Sequence, residues 1–224
     1  MLLLLVSAKE FEISETAFWL NNRTVSHNEP KPELLIGGIG QLQTAYALQK
    51  KIRLQRPDLV IQAGIGGSVL KEDIGKTFVI RSEIIADLGV LEKAGFRNIF
   101  EMGLAGPDHF PFQEGKLKNP YQYLLEWTGL PILDGITVNE IKGHDTVGFQ
   151  RIQIPVVESM EGAALHYVCL MEKIPFLQVR SVSNILGDRD KSRWKLKEAI
   201  ENLNDSLVTL VQKLEKANET LFRI

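Results

Sequence analysis

Short apolar runs rich in β-branched residues alternate along the chain with longer stretches whose apolar positions recur every three or four residues. The runs predict strands at Leu2–Val6, Leu34–Ile36, Leu59–Ala63, Thr77–Arg81, Ile132–Val138 and Phe176–Val182. The periodic stretches predict helices at Gln41–Gln55, Tyr121–Trp127, Glu161–Glu172 and Trp194–Asn218. The last carries Leu196, Ala199, Ile200, Leu203, Leu207, Leu210, Val211 and Leu214 on one stripe, the pattern of a helix packed on a sheet. Strand and helix in alternation predict an α/β fold: one domain over residues 1–224, with a central mixed, mainly parallel sheet flanked by helices. Ala94–Pro120, rich in Gly, Pro and Phe, follows neither pattern, and a loop of that length is commonly a lid or binding loop.

In such a sheet, ligands bind in the crevice outside the carboxyl ends of the strands. Val156-Val157-Glu158-Ser159 reads as a strand ending at Met160-Glu161, where a helix begins. The next strand runs out through Arg180-Ser181-Val182-Ser183 to Asn184. One carboxylate and one amide then face one crevice. A carboxylate can accept hydrogen bonds from both hydroxyls of a sugar diol, and an amide suits a ring that presents a donor beside an acceptor. Together they suggest a nucleoside site.

Two glycine clusters follow strands, Gly37-Gly38-Ile39-Gly40 and Gly64-Ile65-Gly66-Gly67. Each lets backbone amides approach a ligand, or simply makes a tight turn. Gln43 and Val69 stand where a dinucleotide fingerprint needs its last glycine. Gly75-Lys76-Thr77 lacks the earlier glycine of a P-loop, Leu70 being in its place. Glu10 and Glu12 follow the first strand, where a carboxylate can act as a general base or stand solvated in the first turn of a helix.

Composition narrows the partners. Net charge of −2 over 224 residues, with scattered basic residues, offers no footprint for nucleic acid or an anionic membrane. Leu2–Val6 is too short for a signal-peptide core or a membrane span. The single cysteine, Cys169, reads as an inert helix-face residue and fits a reducing, cytoplasmic compartment. His27, His109, His144 and His166 lack metal-ligand spacing, and no serine-hydrolase elbow is present.

These residues together resemble the nucleoside phosphorylase superfamily, on its nucleosidase side. Ser7-Ala8-Lys9-Glu10-Phe11-Glu12 stands where methylthioadenosine/adenosylhomocysteine nucleosidases carry the glutamate that positions water, with Glu12 in the matching place. Met160 and Glu161 match the pair that binds ribose, and Gly66 lies in the glycine turn beside the substrate. Those adenine-specific enzymes carry an aspartate where this chain has Asn184. An amide NH2 can donate to N7 or O6, which an ionised carboxylate cannot, so Asn184 favours a 6-oxopurine. Ser183-Asn184, the run Arg189 to Trp194, Phe110-Pro111-Phe112, Gly115 to Pro120 and Thr137-Val138-Asn139 resemble the futalosine hydrolase family.

That resemblance implies hydrolysis of futalosine to hypoxanthine and dehypoxanthine futalosine in menaquinone biosynthesis, without a cofactor. It implies Glu12 on the water, Glu161 and Met160 on the sugar, Asn184 on the base, and Gly66, Val138 and Asn139 as further substrate contacts. A cation is expected near the substrate's aromatic carboxylate, with Arg189 and Arg193 as candidates. It also implies a homo-oligomer. Adenine-directed nucleosidase, phosphorolytic purine nucleoside phosphorylase and non-catalytic nucleoside-binding module are the alternatives. Against phosphorolysis, no arginine precedes Arg23 in the early segment.

Overall fold

The computed structural model describes residues 1–23, 31–143 and 155–217; His27, His144 and Asn218 lie outside them. In chain order the elements are β1 (Leu3–Ser7), α1 (Ser14–Asn22), β2 (Glu33–Ile36), α2 (Gln41–Leu54), β3 (Leu59–Ser68), β4 (Thr77–Ile85), β5 (Gly89–Glu92), β6 (Gly95–Asn98), β7 (Leu117–Lys118), α3 (Gln122–Trp127), β8 (Ile132–Thr137), β9 (Val156–Ser159), α4 (Gly162–Glu172), β10 (Phe176–Ile185) and α5 (Leu196–Leu214).

All strands except β5 and β6 form one mixed sheet. β2, β1, β3 and β10 lie parallel in that order. β3 also pairs antiparallel with β9, which runs parallel to β8, which runs parallel to β4. β4 returns antiparallel to β10 and closes the ring. β1 and the first half of β3 are buried on both faces, which is why they read as continuous apolar runs rather than alternating ones. Fully burying each such Leu, Ile or Val contributes about 1.5–3 kcal/mol.

Helices cover both faces. α5 turns Ala199, Leu203, Leu207, Leu210, Val211 and Leu214 onto the sheet, so its stripe is core. Leu196, at the first turn, stays 38% exposed. α4 is buried from Gly162 through His166 and again at Val168 and Cys169. Burial pushes the Cys169 thiol well up and keeps it un-ionised. No helix among the described residues is long and apolar enough to cross a membrane.

The structure departs from the sequence expectations in three ways. β3, β4 and β10 run on beyond the apolar runs that predicted them, because strands on both sides satisfy their backbones through the glycines and polar residues. α1 was not expected: it buries only Thr16 and Leu20, a signal too thin to read. Ala94–Pro120 is not wholly irregular, since it holds β6, the partner of β5, and β7, which pairs with β4.

Candidate active site

The carboxyl ends of β1, β3, β9 and β10 surround a cavity of about 440 Å³, within the range of small-molecule sites. Beyond β1 the chain turns through a single 3-10 turn, Glu10–Glu12, and the two carboxylates part. Glu10 is exposed, whereas Glu12 is 5% exposed and lines the cavity. Glu12 Oε2 accepts from Ser7 Oγ at 2.9 Å and from Lys9 N at 3.0 Å. Its Oε1 accepts from Ile65 N at 3.1 Å. From behind, Asn204 on α5 donates to the Glu12 carbonyl at 2.9 Å and accepts from Thr16 N and Thr16 Oγ1. A helix some 190 residues away in sequence thus fixes the loop that carries Glu12.

Glu161 is the N-cap residue of α4 and is 6% exposed. Its Oε1 accepts from Gly40 N at 2.9 Å, which gives the first glycine cluster a definite task. Its Oε2 stands 3.6 Å from Arg180 Nη2, and that nitrogen donates to Gln62 Oε1 at 2.8 Å. Arg180 is 1% exposed in mid-strand. It fits only because position 64 is glycine: a Cβ there would lie 2.3 Å from Arg180 Nη1 and 3.1 Å from Glu12 Oε1. Met160 lines the cavity beside Glu161.

Asn184 is aimed by a bulge. Between Val182 and Asn184 the register of β10 against β3 slips, so Ser183 is the extra residue, a common device beside active sites. Asn184 Oδ1 accepts from Ser183 Oγ at 2.8 Å and Nδ2 donates to the Ile185 carbonyl at 3.0 Å. The other amide hydrogen makes no hydrogen bond among the described residues, and Asn184 lines the cavity. Gly66 lines the same wall.

The expected cation is divided by the structure. Arg189 lines the cavity, its guanidinium 5.9 Å from the Trp194 ring centroid. Arg193 does not: 66% exposed, it reaches Asp188 at 2.7 Å and Asp190 at 3.6 Å, since the short helical turn at Lys191–Arg193 points it outward. Val138 is buried at the end of β8 and Asn139 is tied to Asp87, so neither lines the cavity. Among the described residues, none of Ala94–Pro120 lines it either.

Sequence reasoning gave no role to Arg180, Glu158, Lys191 or Asn204. The signal for Arg180 was present, an arginine inside an otherwise apolar strand, since a buried charge demands a partner. Glu158 lines the cavity two residues before Met160. Burial pushes its carboxyl up to about 7, Asp87 adding to the rise and Arg189 opposing it. No cluster of metal-binding side chains occurs among the described residues.

Comparison with known proteins agrees with this geometry. Residues 23–217 match the family model of the Phosphorylase superfamily. A futalosine hydrolase from Streptomyces coelicolor is 31% identical over 193 residues, covering 82% of this chain and 80% of the relative. One from Acidothermus cellulolyticus is 29% identical, covering 80% and 74%. In fold, a 5'-methylthioadenosine/S-adenosylhomocysteine nucleosidase from Neisseria meningitidis, solved with methylthio-immucillin-A, superposes with a TM-score of 0.72 at 18% identity, covering 94% of this chain and 98% of that one. The chain belongs to the phosphorylase superfamily.

Proposed function

We propose that this chain is an N-ribosyl hydrolase that cleaves futalosine, releasing hypoxanthine and leaving dehypoxanthine futalosine. Glu12 orients and deprotonates the water that attacks C1′. Glu161 accepts the 2′ and 3′ hydroxyls of the ribose, and Met160 packs on the sugar. Asn184 donates to N7 or O6 of the departing hypoxanthine. Arg189 is the cation for the carboxylate of the substrate's aromatic extension, and Gly66 lets the β3 backbone approach the nucleoside.

The observation that carries hydrolysis over phosphorolysis is the use made of the donors around Glu12. Ser7 Oγ, Lys9 N and Ile65 N could cradle an anion, and all three donate to the Glu12 carboxylate instead. A phosphate brought there would meet a fixed negative charge and find these three donors already engaged. Asn184 supports the 6-oxopurine, and the futalosine hydrolases among its relatives support the same substrate. This reading sets the reaction in menaquinone biosynthesis, in the cytoplasm, and in a homo-oligomer. Leu42 and Tyr46, one turn apart on α2 and 85% and 71% exposed, support a partner surface beside cavity-lining Ile39.

Base release by the purified protein tests the proposal, with futalosine, inosine and methylthioadenosine each assayed with and without phosphate. Phosphate-independent release of hypoxanthine from futalosine is expected. Turnover that required phosphate would overturn the hydrolase assignment, and adenine release from methylthioadenosine alone would overturn the substrate. Sizing by light scattering checks the oligomer.

A further inference from the structure

Behind the cavity wall lies a set of buried polar groups that the proposed reaction does not use. Glu83, on β4, is completely buried. Its Oε1 accepts from Gln178 Nε2 at 2.7 Å and its Oε2 from Thr137 Oγ1 at 2.9 Å. Thr137 Oγ1 accepts in turn from Ala163 N at 2.8 Å, so the carboxyl sits under the first turn of α4, next to Glu161. Glycine makes the room: a Cβ on Gly162 would stand 2.1 Å from Glu83 Oε1 and 2.4 Å from Gln178 Nε2. Gln178 also faces His166, which is fully buried, with Nδ1 2.9 Å from the Leu117 carbonyl oxygen. His166 Nε2 and Gln178 Oε1 are buried without hydrogen-bond partners among the described residues.

The valences of these groups restrict where protons can be. The Leu117 carbonyl only accepts, so Nδ1 of His166 carries hydrogen. Two complete arrangements remain. In one, His166 is an imidazolium that donates from Nε2 to Gln178 Oε1, and Gln178 Nε2 donates to an ionised Glu83. In the other, the amide is turned: His166 is neutral, its Nε2 accepts from the Gln178 NH2, and the Gln178 carbonyl accepts from a protonated Glu83. Each holds one shared proton and the same total charge. They differ in whether two buried ions or none must be sustained, and burial without water favours none. The same burial holds His166 down to about 4 and pushes Glu83 up to about 7.

We propose that Glu83, Gln178 and His166 hold one proton in common, that it resides on Glu83, and that the neutral Glu83 is a positioning residue for Glu161. Arg180 on β10 and Glu161 at the head of α4 act on Glu83 directly, and His166 on α4 acts through Gln178. β8 and β7 present Thr137 and the Leu117 carbonyl. With Glu83 neutral, it does not compete with Glu161 for the Arg180 charge. When Glu83 ionises, the guanidinium is drawn toward two carboxylates, Glu161 is repelled, and its grip on the ribose hydroxyls weakens.

This inference rests on the hydrolase reading only where it concerns Glu161. Two substrate-free measurements locate the proton. Infrared difference spectra below neutral pH, wild type minus Glu83→Gln, should contain the carbonyl stretch of a buried carboxylic acid, the Glu158 band being common to both. NMR of 15N-histidine-labelled protein should show His166 neutral, with its hydrogen on Nδ1, at pH 6. In pH profiles on futalosine, kcat/KM of the wild type should fall above neutrality by on the order of tenfold, the change equivalent to one pKa unit of coupling, and Glu83→Gln should lose that fall. A purely structural Glu83 would give two parallel profiles. An imidazolium at His166, a missing acid band, or parallel profiles would overturn the proposal. Absence of futalosine turnover would overturn the functional reading alone, since the spectra still decide the proton's position.

Discussion

Replacing Glu12 by glutamine keeps the side chain's shape and exchanges one acceptor for a donor. The structure makes that exchange costly in either orientation. With the amide nitrogen at the Oε2 position it faces Lys9 N, which can only donate; at the Oε1 position it faces Ile65 N, which also can only donate. Ser7 can turn its hydroxyl to accept, but neither backbone group can. One buried N–H therefore loses its partner, at about 1–3 kcal/mol. In a domain of this size, each kcal/mol lowers Tm by about 2–4 °C, so a drop of roughly 2–12 °C is expected. The rate effect is larger. Without a base at the water, kcat should fall by about 10²–10⁴, and added phosphate should not restore it. Calorimetry and base-release kinetics on the same preparation give both numbers. Ser7→Ala, which leaves both backbone donors paired with a carboxylate, should lose far less activity. A folded Glu12→Gln variant with wild-type Tm and turnover would refute both the hydrogen-bond geometry and the role.

Glu161→Gln should lower turnover on the order of a hundredfold, since its hydroxyl contacts strengthen in the transition state. It should also lose stability in urea, because Arg180 is left without its carboxylate. Asn184→Asp would set a carboxylate oxygen against the Ile185 carbonyl, 3.0 Å from the present amide nitrogen, favouring the protonated acid. It should lose futalosine hydrolysis and gain weak action on the adenine-containing counterpart, and equal falls in kcat/KM on both would remove Asn184 from base recognition. Glu83 is raised from 4.5 to about 7 in the fold, so its contribution to stability is complete below 4.5 and is lost as pH rises through 7. At about 1.36 kcal/mol per pH unit, the unfolding free energies of wild type and Glu83→Gln should move relative to each other by about 3 kcal/mol across that window, and a constant difference would show that Glu83 does not titrate there.

What the chain discloses before folding follows from how local each signal is. The β1 and β3 runs and the α5 stripe are legible because burial on a regular element imposes a period on adjacent residues. Glu12, Glu161 and Asn184 are legible because each stands just past such a run. The β5–β6 hairpin is not, since none of its residues is buried and none needs apolar alternation, and the two residues of β7 are too few to carry one. Arg193 and Asn139 belong to motifs that suggest binding, yet their aspartate partners turn them to other tasks. Asn204 and Glu83 are invisible for the opposite reason. Their partners lie 192 and 95 positions away, at Glu12 and Gln178, so only the closed ring and the helix laid on it bring them into play.

The charge at the centre of the molecule connects these parts. Among the buried side chains at the site, Arg180 brings one positive charge, and Glu12 and Glu161 bring two negative ones. With Glu83 neutral, these three buried groups carry a net charge of minus one. A ribosyl group losing its base develops about one positive charge, so this buried trio is balanced at the transition state and not before it, which is where electrostatic stabilisation accelerates a reaction. If Glu83 were ionised, the buried groups would carry a net charge of minus two, and the surplus would be relieved by drawing Arg180 off Glu161 or by protonating a carboxylate. Either response weakens the contact that grips the ribose. A buried acid kept neutral behind the site therefore serves the reaction without touching the substrate, and the same low dielectric that keeps it neutral sharpens the attraction of Glu12 and Glu161 for the ribosyl cation.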